Sequence, residues 1–335
     1  LIRMLGGVTV NLVLGFLIYM KILFVWGKNI LPNSALTMGM GVSSLGKEIG
    51  FEKGDQILMV DGKPLEVALD INKMLLIRSV EEVQVQRVDG NKVILQIPSD
   101  FGDRMFSSGQ MNPLYPRFPA EIDSVLTDKN AFTAGFKVGD KIVAADDTVI
   151  EDWVELRDFN NEKANQAVQY VVERNQMLDT LSLVLDANGK MGVIPRSNIK
   201  INQVKLSLGE SILEGFSYGY WTLYDYVAQF KYVFTKKGAS QLGGFGAIGS
   251  LFPASWDWRA FWASTAFISI ILAFMNLLPI PALDGGHVMF LLYEMVSGRK
   301  PNDKFMEYAQ MFGFFLLLAL VIYANGNDLF RFLSN

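Results

Sequence analysis

Asp284 is the residue of this chain best placed to do chemistry. It stands in Asn276-Leu-Leu-Pro-Ile-Pro-Ala-Leu-Asp-Gly-Gly-His287, which closes an apolar run beginning near Ala260. A carboxylate at membrane depth costs about 3 kcal/mol on insertion scales and normally faces a partner, a cavity or a metal. Pro279 and Pro281 interrupt the helix, and non-helical backbone is tolerated in a bilayer only where it is buried in protein or lines a cavity. Proton relay, ion coordination, pairing with a lysine and metal ligation are the uses open to such a group. His287 is the single histidine of 335 residues and there is no cysteine, so thiol catalysis, thiolate metal sites and any multi-histidine centre made by this chain alone are excluded.

The elements that must position Asp284 follow from hydropathy. Half of the residues are hydrophobic and the mean hydropathy is +0.25, more apolar than an ordinary soluble enzyme. The excess sits in residues 4–26, 260–283 and 306–324, each at roughly 20 residues long enough to cross a hydrocarbon core of about 30 Å. Gly6, Gly7 and Asn11 open the first stretch, and Lys21 lies late in it, near Trp26 and Lys28, as an interfacial anchor. Residues 208–235 place Ile212, Phe216, Tyr220, Leu223, Val227, Phe230 and Phe234 on one helical face. That pattern suits an amphipathic helix at the bilayer surface, with packing against the polar region as the alternative. The Gly-rich stretch 241–250 lacks the lysine and preceding strand of a phosphate loop, and is expected to be a flexible loop re-entering toward Asp284. Arg299, Lys300 and Lys304 make the loop before the last stretch cytoplasmic by the positive-inside rule; Arg3 agrees, and the polar region then falls outside the cytoplasm. A net charge of -4 and the absence of any nucleic-acid motif set nucleic acid aside.

Within the polar region the chain repeats itself. Gly50-Phe-Glu-Lys-Gly-Asp-Gln-Ile-Leu-Met-Val-Asp61 aligns with Gly135-Phe-Lys-Val-Gly-Asp-Lys-Ile-Val-Ala-Ala-Asp146 at an offset of 85 (135 minus 50), with six of twelve positions identical. Each copy reads as a Gly-Asp turn, a strand and a second Asp-bearing turn. Helices follow at 67–77 and 153–161, and strands at 83–88, 93–97, 167–173 and 180–185. Gly192-Val-Ile-Pro195 begins a further strand-like piece after the two copies.

The repeated element resembles that of PDZ domains in bacterial envelope proteases, which implies capture of extended peptide segments by strand addition. The sequence N-x-x-P-x-P-x-L-D-G-G inside an apolar helix resembles the site-2 protease family of intramembrane zinc metalloproteases. The order of a G-x-x-x-N membrane segment (Gly7 to Asn11), tandem PDZ-like domains, amphipathic helix, LDG segment and last helix is similar to the RseP subgroup. The resemblance covers essentially the whole chain. It implies a multi-pass α-helical membrane protein with two inserted α+β PDZ-like domains. The expected divisions are a membrane helix in 1–30, PDZ-like domains in 31–105 and 106–200, and the amphipathic helix with the Gly-rich loop in 201–258. The site-bearing helix occupies 259–298, and a cytoplasmic loop with the last helix 299–335. By position, Asp284 corresponds to the family's aspartate zinc ligand, Asn276 and Pro279 to its substrate-handling element, and Asn11 to its second-segment asparagine. Helix capping is the plainer reading of Asn276, and His287 is expected to be a satisfied polar residue rather than a ligand.

One departure limits the comparison. The family's other two zinc ligands and its general base come from H-E-x-x-H on an earlier helix, and these 335 residues contain no such sequence. The chain, which starts at Leu1, is therefore expected to be an N-terminally truncated piece that cuts nothing by itself. The resemblance further implies Zn2+ as cofactor, single-pass transmembrane proteins as substrates, and a place in the bacterial inner membrane with the PDZ-like domains on the periplasmic side. Two other readings stay open: a non-catalytic adaptor presenting two peptide-binding domains, and an ion or proton pathway through Asp284, which the low number of spans disfavours.

Overall fold

A computed structural model of the chain describes residues 2–197 and 199–334, with side chains from Gly6 onward. Arg3, used above for sidedness, lies outside the described side chains. The chain divides into two compact units, residues 1–29 with 203–335, and residues 30–202.

The first helix, α1 (Ile2–Trp26), is followed by strand β1 (Lys28–Ile30) after Gly27, whose φ of 72° suits glycine at a helix end. The second unit then builds two modules. Module 1 runs β2 (Met40–Val42), α2 (Ser44–Glu48), β3 (Gln56–Val60), β4 (Lys63–Pro64), α3 (Asp70–Ile77), β5 (Glu82–Gln86), β6 (Lys92–Gln96), α4 (Phe101–Ser108) and β7 (Leu114–Pro116). Module 2 runs β8 (Ile122–Val125), α5 (Asn130–Thr133), β9 (Lys141–Ala145), β10 (Thr148–Val149), α6 (Trp153–Glu162), β11 (Ala167–Arg174), β12 (Met177–Val184) and β13 (Val193–Pro195).

Both modules have one topology: sheets ordered β4-β3-β5-β6 and β10-β9-β11-β12, and pairs β2-β7 and β8-β13. Strand alternation explains their cores. Val83 and Val85 on β5, and Val168, Tyr170 and Val172 on β11, point inward between exposed or half-exposed neighbours. The repeat extends to the polar scaffold. Asp55, 1% exposed, and Asp140, 0% exposed, each accept from the backbone N–H three residues earlier at 2.8 Å. Arg87 and Arg174 bind these carboxylates at 2.7 Å and also donate to the carbonyls of Gly50 and Gly135. Asp61 and Asp146 adopt φ of 48° and 47° and accept from the N–H groups of Glu82 and Gln169, each at 3.0 Å.

One finding departs from the expected divisions. The division expected near residue 105 falls inside α4, because β7 belongs to module 1 through its pairing with β2. The Val193–Pro195 strand, inside the expected 106–200 division, pairs with β8 and so belongs to module 2.

After β14 (Asn202–Val204) the first unit resumes with α7 (Leu208–Val233), α8 (Lys236–Gln241), α9 (Phe245–Gly249), α10 (Trp258–Leu277), α11 (Asp284–Ser297) and α12 (Asp303–Ser334). Among the described residues three helices are long and apolar enough to cross a membrane: Gly6–Trp26, Trp258–Leu277 and Asp303–Ser334. Together with the small sheets they fit a multi-pass membrane protein. A capping box of Ser207 and Glu210 starts α7. On that helix Gly215 lies against Met20 and Gly219 against the Phe16 ring, while Glu214 bonds Lys28 at 2.8 Å. Farther along, the Tyr226 and Phe230 rings meet Phe274 at 5.7 and 5.6 Å. The helix therefore stands alongside α1 and antiparallel to it, because two glycines on one face let the helix axes approach.

Candidate active site

Helix α10 ends where its sequence forces it to end. Pro279 and Pro281 have no N–H to continue the ladder, so the chain turns through Leu278 N–H to Met275 O (3.2 Å) and Leu283 N–H to Ile280 O (2.8 Å). The turn brings Asp284 to the first position of α11, where the helix dipole favours an anion. Asp284 is thus not within a continuous span but at the start of a new helix.

Glycines set how tightly this turn is held. A Cβ on Gly285 would meet the carbonyl oxygens of Leu277 and Leu278 and come 2.6 Å from the Leu277 carbonyl carbon; one on Gly286 would lie 2.7 Å from the Ile280 carbonyl carbon. From the other side Gly313 of α12 packs so closely that a Cβ there would lie 2.8 Å from Ala282 N. His287 fastens α11 to α12. Its Nδ1 lies 3.2 Å from Leu283 O, a pure acceptor, so Nδ1 carries the proton and Nε2 accepts from Gln310 Nε2 at 3.2 Å. The histidine is a satisfied polar residue at a helix start, as expected.

Helix α1 supplies the facing wall. It runs antiparallel to α10: Ser269 Oγ donates to Asn11 O at 2.8 Å, a Cβ on Gly15 would lie 2.7 Å from Ile270 Cγ1, and Lys21 Nζ sits 4.6 Å from the centre of the Trp262 ring. One turn before Asn11, the open side of Gly7 faces Asp284, whose Oδ2 would be 3.7 Å from a Cβ there. Asn276 lies two turns beyond Ser269, next to last in α10. The structure therefore sets Gly7 of α1 against Asp284 at the α10–α11 break, with Asn11 one turn from Gly7 and Asn276 in the last turn of α10. Among the described residues the side chains of Asn11, Asn276 and Asp284 make no hydrogen bond, and all three are partly exposed. Pro279, exposed, shapes the break itself.

The sequence reading missed Ser269, Gln310, Gly15 and Gly313. Gly7 and Gly15 lie eight residues apart on one face of α1, small residues of the kind by which one helix admits another, and that signal was available.

The Gly-rich stretch does not re-enter toward Asp284. It holds α9, whose backbone needs acceptors and finds them at the far end of α12. Asp328 Oδ2 accepts from Gly244 and Ala247 N–H at 2.9 and 3.1 Å, and Asn325 Oδ1 from Phe245 N–H at 3.1 Å. Asp328 lies 15 residues beyond Gly313, about 22 Å along the helix, so the loop sits far from the Asp284 turn.

Asp284 fits one oxygen ligand of a metal: partly exposed, without a partner among the described side chains, and given room by Gly7. Among the described residues no three of His, Cys, Asp or Glu come together. A catalytic zinc takes three protein ligands, so the residues present do not make a complete zinc site.

Three helices long and apolar enough to cross a membrane, with an Asp-Gly-Gly turn after one of them, accord with a membrane-bound peptidase class, and the chain belongs to peptidase family M50, whose profile matches residues 1–320. It is similar to the regulator of sigma E protease of Haemophilus influenzae, with 27% identity over 86% of this chain and 69% of that protein. It is also similar to the metalloprotease MmpA of Caulobacter vibrioides (26% identity, 63% of this chain, 60% of that protein). The zinc metalloprotease RasP of Geobacillus kaustophilus is 28% identical over 65% of this chain and 52% of that protein. The chain thus spans between 52% and 69% of the lengths of these relatives.

Proposed function

We propose that this chain is the LDG-bearing part of an intramembrane zinc metalloprotease that cleaves transmembrane proteins in a bacterial inner membrane. The observation that supports the reading is Asp284, without a hydrogen-bond or ion-pair partner among the described side chains, at the break between two helices and facing Gly7. Zinc, when bound, supplies a Lewis acid and an activated water. Asp284 would be one of its ligands, the turn glycines and the His287–Gln310 contact holding the carboxylate in place. Asn276, with an amide donor and acceptor, would hold the backbone of an unwound substrate strand, and Pro279 would keep α10 from closing over it. Asn11 would line the opposite wall. The two modules, as PDZ-like domains on the periplasmic side, would gate which substrates reach the site.

The two remaining zinc ligands and the general base are not among these 335 residues, so the chain is not competent alone. The single histidine also favours a second reading, a membrane adaptor presenting two peptide-binding modules. One experiment separates them: express the chain together with the coding sequence immediately upstream and follow cleavage of a single-pass membrane reporter. Zinc-dependent cleavage abolished by Asp284→Ala supports the protease, whereas cleavage that survives Asp284→Ala removes Asp284 as a ligand. An upstream sequence without H-E-x-x-H and no cleavage supports the adaptor.

A further inference from the structure

Strands β7 and β13 close their modules with the same pattern, Leu114-Tyr-Pro116 and Val193-Ile-Pro195. In module 1, Ser43 N–H donates to Pro113 O and Arg117 N–H to Gly39 O; in module 2, Leu126 N–H donates to Gly192 O and Arg196 N–H to Glu121 O. Residues on either side of Leu114 and Val193 therefore turn their backbone groups toward β2 or β8. By the alternation of an antiparallel ladder, Leu114 and Val193 turn theirs to the opposite edge, where a further strand would add.

In module 1 that edge is already occupied. Asn72 Nδ2, from α3, donates to Leu114 O at 2.7 Å, and Leu114 N–H donates to Asn72 Oδ1 at 3.1 Å. A carboxamide carries the donor and acceptor of a peptide bond, so Asn72 makes the two bonds an incoming strand would make. The contact is sealed, with Asn72 6% and Leu114 1% exposed. Helix α4 packs behind it, where a Cβ on Gly102 would lie 3.0 Å from Leu75 O.

In module 2 the edge is open. At the offset of 85, Ile71 falls on Leu156, Met74 on Phe159 and Leu75 on Asn160, all turned toward their module cores. The place of Asn72 falls to Arg157, which is 58% exposed and bonds its neighbour Asp158 at 2.8 and 3.0 Å. Among the described residues neither Val193 N–H nor Val193 C=O has a hydrogen-bond partner outside the β8 ladder. The connection from β12 to β13 carries no helix equivalent to α4.

We infer that the modules are not equivalent: Asn72 fills the strand-accepting edge of module 1 from within, and module 2 alone takes an extended peptide, along β13 beside Arg157. This rests on the reading of the modules as PDZ-like. The chemistry of the occupant is shown by the plug itself, a peptide-type amide donating to the carbonyl and accepting from the N–H of one strand residue. Pro195 has no N–H, so the edge offers the N–H of Val193 and few groups beyond it, and the register of the bound segment is fixed there.

The test uses the full chain in detergent micelles and a pool of random-sequence decapeptides carrying an N-terminal benzophenone, with crosslinks mapped by mass spectrometry. Crosslinks at β13 and α6 are expected to exceed those at β7 and α3 by about tenfold, equivalent to ~1.4 kcal/mol. Asn72→Ala is expected to bring the two modules level, and Val193→Pro, which removes an N–H that the β8 ladder does not use, to abolish the module 2 crosslinks. Hydrogen exchange on the unmodified chain gives an independent readout, with Leu114 N–H protected and Val193 N–H exchanging. Equal crosslinking of both modules in the unmodified chain, or module 2 crosslinks that survive Val193→Pro, overturns the inference. Crosslinks at neither edge in any variant, with module 1 shown folded by exchange, refutes the peptide-binding reading instead.

Discussion

Replacing Gly285 by alanine puts one methyl group against backbone that has nowhere to go. The added carbon would lie 2.6 Å from the carbonyl carbon of Leu277, where ordinary contact begins near 3.4 Å, and closer still to two carbonyl oxygens. The turn must therefore open by roughly 1 Å, and overpacking of this kind costs about 1–3 kcal/mol. Because Asp284 is the next residue, the same shift moves its carboxylate, and a misplacement of ~1 Å at a catalytic group lowers the rate by about 10²-fold. Gly15→Ala makes the useful contrast, since its nearest obstacle is the Ile270 side chain at 2.7 Å. Truncating that side chain in a Gly15→Ala/Ile270→Ala double variant should recover part of the loss, whereas no side-chain truncation should rescue Gly285→Ala. Thermal unfolding in detergent measures the stability, and reporter cleavage by the protein with its upstream sequence measures the site. A Gly285→Ala protein with unchanged melting and cleavage would refute the idea that the glycines hold the turn.

Three further outcomes follow from the geometry. Asp328→Ala should release α9, raising hydrogen exchange at Gly244 and Ala247 while leaving the Asp284 turn protected. Asp140→Asn removes the charge and one of the two acceptor oxygens that hold Arg174 and Lys137 N–H; hydrogen bonds to charged groups are worth about 1.5–3 kcal/mol, and thermal denaturation of module 2 should show a loss of that order. The hydrogen bond from Lys53, then its charge, holds the Glu151 carboxyl below the usual carboxylate range. Its folded pKa lies under its unfolded one, so its stabilisation is present at neutral pH and is lost as pH falls through the folded value. In melts taken from about pH 6 to about pH 3, Glu151→Gln should remove part of the acid-side loss, and added salt should shrink the effect because the group is exposed.

The repeat was legible because its signals are local. A Gly-Asp turn, an Asp at positive φ and alternating apolar residues each act within a few positions, and the offset of 85 carries them from β3 to β9 and from β5 to β11. Arg87 and Arg174 escaped that alignment, since they stand 87 residues apart, yet their guanidinium groups reach equivalent carboxylates. The bounds of the modules escaped it too, because β2 pairs with a strand more than seventy residues away. Asn72 lies on α3, where its type alone carries no signal; only the approach of α3 to β7 gives its amide a strand to bind.

What the sequence by itself determined is the break at Pro279 and Pro281, the carboxylate after it, the three apolar stretches and the tandem modules, all set by steric and hydropathic rules that act along the chain. What tertiary structure decided is which groups meet: Gly7 against Asp284, Gly313 against the turn, Asp328 on the Gly-rich loop and Asn72 on Leu114. Such contacts depend on how closely two elements approach, to within a fraction of an ångström, and no periodicity in the sequence encodes that distance.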